Sequence, residues 1–265
     1  FFYQYFPDFG WNHLWYGGFP MDLLYTPIFP ILEAILYFFT NLSFWHIYRI
    51  LTALNYLLLP VTLYFFLRYL FKSTVGAFIT SLGYSLLPSF IYIFDEVRQI
   101  GEGFSFAPWR LVVLIYYGEG PHLFSLAILP LAALLFLYSL RNPSYWKIIG
   151  TSFLISLVAL SNLVGFLALF FLLFALFFSE FIRQDTDSVA VTKTAILCLI
   201  LSLGLVAFWF NVSFIKNYLV FGEVAKIFKN YLKFIFYLPL ILPLFLLIIF
   251  QIFNKRISWQ PVLIS

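Results

Sequence analysis

The sequence predicts an all-α, multi-pass bundle of transmembrane helices. Hydrophobic residues make up 63% of its 265 positions and charged residues only 10%. Apolar runs of roughly bilayer length also recur along the chain, divided by short polar or Pro/Gly breaks. A soluble domain carries about a quarter of its residues charged, roughly 65 at this length. This chain has 26, of which 15 are basic and 11 acidic. Its mean hydropathy is +0.99. Most of such a surface must be solvated by lipid rather than water.

Residues 1–46 read as an extracytoplasmic loop, aromatic and acidic, with Gly17, Gly18 and Pro20 as breakers. Within it, 27–40 is apolar but short and holds two prolines and Glu33. About 14 helical residues rise only ~21 Å against a hydrocarbon core of ~30 Å. That segment is therefore expected to be an interfacial or re-entrant helix. Residues 47–253 form the transmembrane domain. Its expected spans are 47–70, with Pro60 mid-helix, 75–93, 121–140, 146–160, 163–182, 190–210 and 234–253. That is about seven spans. Pro121 suits a helix start. The 37 largely apolar residues 146–182 are too long for one helix, and Ser161-Asn162 is the natural turn within them. Residues 254–265 begin a further segment. The chain starts at Phe1 without a methionine and stops as a polar stretch opens, so it is expected to be a piece of a longer protein.

Several function classes are disfavoured. The one cysteine, Cys198, lies in an apolar run and reads as a small buried hydrophobe, with no disulfide or Cys-based metal site to be built from it. His13, His46 and His122 are too scattered for a metal cluster. A net charge of +4 without a basic run gives no nucleic-acid partner. Asn41-Leu42-Ser43 and Asn211-Val212-Ser213 match the glycosylation sequon, but both hug apolar segments and read as chance. With residues 1–26 placed outside, lysines and arginines divide eight inside to seven outside, which leaves the orientation open.

Chemistry is expected where acidic residues approach lipid, because such placement is costly. Asp8, Asp22 and Glu33 form one group, and Asp95, Glu96, Glu102 and Glu119 a second. If 27–40 does not span, both groups face one aqueous surface. There they could hold a divalent cation, Mg²⁺ or Mn²⁺, through oxygen ligands, or supply a general base. Arg98 and Arg110 suit a phosphate. His122, at the mouth of a span, suits a phosphate or a sugar hydroxyl. His13 lies between Trp11 and Trp15, where a sugar ring could stack. The plain alternatives are solvated loop charges, an interfacial helix start and an aromatic belt.

Three stretches carry a resemblance. Trp15-Tyr16-Gly17-Gly18-Phe19-Pro20, leading into Tyr25-Thr26-Pro27, resembles the "G-aromatic-P … Y-P-P" entry of multi-pass glycosyltransferases of the GT-C class. Gly120-Pro121-His122 with Leu129-Pro130-Leu131-Ala132 is the second stretch, and Ala207-Phe208-Trp209-Phe210 the third. Together, over roughly residues 11–220, they look most like the bacterial and archaeal membrane family called 6-pyruvoyl-tetrahydropterin synthase-related, a GT-C relative rather than a pterin enzyme. The second proline of Y-P-P is displaced here, and the family's usual first span would lie before Phe1.

The resemblance implies transfer of a sugar from a polyprenyl-phosphate-type carrier to an acceptor at the outer face of the cell membrane. Membrane lipid and a lipid-linked sugar donor would be the partners. Asp8 or Asp22 would be base or metal ligand, with Asp95, Glu96 or Glu102 as the second acidic site. Arg98, Arg110 and His122 would contact donor phosphate, and His13, Trp15 and Tyr25 would complete the substrate-binding set. A transporter or lipid flippase is one alternative, and a non-catalytic membrane scaffold another.

Overall fold

A computed structural model describes residues 11–12, 19–20, 25–86, 110–112, 118–183 and 187–221. Two short segments pair antiparallel, β1 (Trp11–Asn12) with β2 (Phe19–Pro20), in the register Trp11↔Pro20 and Asn12↔Phe19. The other elements among the described residues are helices. The helices are α1 (Ile28–Thr40), α2 (Phe44–Phe71), α3 (Thr74–Leu86), α4 (Gly120–Arg141), α5 (Tyr145–Ser161), α6 (Leu163–Ile182), α7 (Ser188–Val206) and α8 (Val212–Phe221). Among the described residues, four helices are long and apolar enough to cross a membrane: α2, α4, α6 and α7. The protein is a multi-pass membrane protein. The 13 residues of α1 rise ~20 Å, short of a bilayer core.

Chain direction follows from the contacts. Tyr48 meets Gly120, Thr62 meets Ala127 and Tyr69 meets Tyr138, so α2 and α4 run parallel. The tight links 72–73 and 142–144 turn α3 and α5 back. The N-termini of α2, α4 and α6 therefore share one end with α1, here the α1 end. The far end holds the α2–α3 and α4–α5 links and the start of α7.

Burial identifies α4 as the central helix. In its most apolar stretch 67% of residues are buried, against 22–28% for α2, α6 and α7. The outward faces of the other helices are large and apolar, including Leu57, Phe65, Val164, Phe171 and Ile200. Such faces suit lipid. Between helices the chain uses small polar groups. Thr62 Oγ1 donates to the Ala127 carbonyl at 2.7 Å, three residues before Pro130. Ser139 and Thr151 join α4 to α5 at 3.0 Å. Ser152 donates to Cys198 O, and Ser156 to Ser202 O, each at 3.2 Å, seaming α5 to α7. Small residues and hydroxyls are what membrane helices use for close approach, since lipid gives no hydrophobic drive to associate. Cys198 is buried in this seam.

Several sequence boundaries shift. The 75–93 span appears as a helix to Leu86, with 87–93 outside the described residues. The 190–210 span ends four residues early. Trp209 and Phe210 both donate to Val206 O in a tight turn, and Asn211 then caps α8 through Phe214 N–H at 2.9 Å. The turn at Ser161-Asn162 is where the sequence predicts it. The 234–253 span lies outside the described residues.

Candidate functional site

The α1 end gathers segments distant in sequence. Trp209 Nε1–H donates to the Tyr25 carbonyl at 2.8 Å, and Thr26 Oγ1 donates to the Ser161 carbonyl at 2.7 Å. These bonds fasten the residues before α1 to the α5–α6 turn and the α7–α8 turn. Phe29 is fully buried, edge-on to Tyr48 and Phe124, with centroids 5.7 and 6.4 Å away. Gly120 N–H donates to Tyr48 Oη at 3.0 Å. That approach needs glycine, because a Cβ there would lie 2.9 Å from both Phe29 Cζ and Tyr48 Cε2. Gly118 has φ +67°, the left-handed region open to glycine at no steric cost. The Gly118-Glu119-Gly120 run is thus a fitted joint.

Two carboxylates share this end. Glu33 on α1 and Glu119 before α4 both act electrostatically on Tyr25. Burial, then the neighbouring Tyr48, Glu33 and Glu119, push the Tyr25 phenol up to about 12. Burial likewise raises the Glu33 carboxyl from 4.5 to about 7. Glu33 can therefore take up or release a proton near neutrality.

His122 stands in the first turn of α4 with Nδ1 3.2 Å from Asn162 Oδ1. Asn162 is the single residue linking α5 to α6, and its Oδ1 also accepts Gly165 N–H at 2.9 Å, capping α6. A Cβ on Gly165 would strike Ser125, so glycine lets α4 and α6 close up beside this pair. Arg110 lies apart from this group, its guanidinium 4.0 Å over the Tyr84 ring of α3. Tyr56 of α2 is fixed near that ring by donating to Ser85 O at 2.8 Å.

Of the sequence-predicted residues, the structure brings Tyr25 and His122 to one end and sets Arg110 on its α3 side. Asp8, His13, Trp15, Asp22, Asp95, Glu96, Arg98 and Glu102 lie outside the described residues. Among the described residues no group of three or more His, Cys, Asp and Glu side chains could hold a metal. Sequence reading gave no partner to Glu180, at the far end. It is 2% exposed and bound by Arg141 Nε at 2.9 Å and Nη2 at 2.5 Å, with Arg183 at 3.5 Å. An acid inside the apolar run Phe177–Ile182 was the available signal.

No family model, curated protein or solved structure matches the chain.

Proposed function

We propose that the protein is a GT-C-type membrane glycosyltransferase, moving a sugar from a polyprenyl-phosphate-type carrier to an acceptor at the outer face of the cell membrane. One observation carries the reading. Glu33 and Glu119, one from each acidic group of the sequence, both lie within electrostatic reach of the buried Tyr25 phenol at one end of the bundle. Two further features support it. Two of the stretches that carry the GT-C resemblance meet at that end through Trp209 and Tyr25, and the third begins there at Gly120, bonded to Tyr48. Among the described residues, six lysines and arginines (Arg68, Lys72, Arg141, Lys147, Arg183, Lys193) gather toward the far end, against Arg49, Arg110 and Lys216 at the α1 end. Over the whole chain the division is eight to seven, so the outward placement of the α1 end is part of the proposal.

In this reading α1 is the interfacial helix of the outer loop, and about seven spans make up the transmembrane domain. Asp8 or Asp22 is the base or a cation ligand, and Asp95, Glu96 or Glu102 adds a second carboxylate. A bound Mg²⁺ or Mn²⁺ would supply charge neutralisation at the donor phosphate. In the four span-length helices every charge lies within six residues of an end, which favours chemistry at a face over transport through the bundle.

The test is transfer from a radiolabelled polyprenyl-phosphate sugar by the full-length protein in proteoliposomes. Asp22→Asn and Asp95→Asn are expected to lower turnover at least 100-fold, in keeping with loss of a general base. Unchanged transfer in both removes these residues from the mechanism. No transfer by the wild type with any lipid-linked sugar overturns the function.

A further inference from the structure

The hydrogen bonds around Asn162 fix which nitrogen of His122 carries a proton. Asn162 Oδ1 accepts Gly165 N–H at 2.9 Å, which identifies that atom as the amide oxygen. The same oxygen is 3.2 Å from His122 Nδ1. An amide oxygen cannot donate, so Nδ1 carries the hydrogen. In a neutral imidazole the other nitrogen, Nε2, then presents a lone pair. The His122 carbonyl is also engaged, accepting from Ser125 Oγ at 2.7 Å. Both the start of α4 and the ring are therefore held in place.

We infer that His122 Nε2 accepts a hydrogen bond from a substrate hydroxyl, and that Asn162 is the positioning residue that keeps it an acceptor. The partner chemistry is a sugar or alcohol hydroxyl rather than a phosphate, whose anionic oxygens offer that lone pair no proton. This rests on the glycosyltransferase reading and narrows it. His122 moves from the donor phosphate to a hydroxyl of the sugar or the acceptor. His122 is half-buried, and among the described residues its Nε2 has no hydrogen-bond partner, so one ring nitrogen is satisfied by the protein and the other is not. A histidine that merely opened a helix would need no fixed tautomer. Here the tautomer is set by the residue that also caps α6, so it is built into the α5–α6 turn.

The test is ¹⁵N NMR of the full chain labelled at histidine, in phosphatidylcholine nanodiscs, with the His122 signals assigned by their loss in His122→Gln. The expected spectrum shows a protonated Nδ1 and an unprotonated Nε2. Octyl glucoside, added below the level that disrupts the discs, shifts the Nε2 signal while leaving it unprotonated. Dodecyl phosphate does not. Asn162→Leu, with α6 retained by circular dichroism, yields mixed tautomers and weakens the glucoside response at least fivefold. A proton on Nε2, a response to dodecyl phosphate instead, or no response to either probe overturns the inference. Absent sugar transfer with an intact glucoside response would instead sink the transferase reading and leave the His122 assignment standing.

Discussion

At the α1 end the fit of single residues decides the geometry. Gly120 is the clearest case, since one methyl group would meet Phe29 and Tyr48 at 2.9 Å. Gly120→Ala is expected to cost about 1–3 kcal/mol through overpacking. Thermal unfolding in detergent checks this, and Gly83→Ala, where a Cβ meets nothing within 4 Å, is the matched control. Glu33 gives a pH signature. Its carboxyl, raised from 4.5 to about 7, holds its proton more tightly folded than unfolded. Its contribution to stability is then full below about pH 4.5 and lost as pH rises through about 7. Glu33→Gln is expected to flatten the fall in melting temperature across that window, and an unchanged slope would assign the fall to other groups. Neither feature is legible in the sequence. Gly120 has no visible neighbour until α1, α2 and α4 meet, and Glu33 has an ordinary carboxyl until its helix is packed.

Helices were the most legible level, because apolar run length reports directly on bilayer thickness. The short α1, the α5–α6 turn and the cores of α2, α4, α6 and α7 follow from it. Ends were less legible. The Phe208-Trp209-Phe210 run is as apolar as a helix, yet the chain turns there because Trp209 is drawn to the Tyr25 carbonyl, 184 residues away. The pairing of helices was not legible at all. Ser152, Ser156 and Ser202 look like tolerated small residues, and only the parallel course of α5 and α7 makes them partners. Because each serine also bonds within its own helix, the seam is expected to be modest in energy. Replacing Ser156 and Ser202 together with alanine should cost about 1 kcal/mol, at roughly 0.6 kcal/mol per interhelical bond. Equilibrium unfolding in mixed micelles measures it. A loss several times larger would mean that the seam also holds the bundle's registry.

For the molecule as a whole, the decisive feature is that α2, α4 and α6 start at one end and that α1 closes over it. Everything proposed for function depends on this, because it brings Tyr25, Glu33, Glu119, His122 and Asn162 together. The acidic pattern of the sequence anticipates that the 1–40 and 95–120 regions share a face. It could not show that Tyr25 is tied to Trp209 or His122 to Asn162, since those contacts join residues 40 to 184 positions apart. The most direct test uses single cysteines in a Cys198→Ala background, labelled with a membrane-impermeant maleimide in sealed vesicles of known orientation. Cysteines at Leu42 and Glu119, both exposed at the α1 end, should label from one side, and those at Asn142 and Tyr145 from the other. Labelling of positions 42 and 119 from opposite sides would contradict the shared face and remove the site with it.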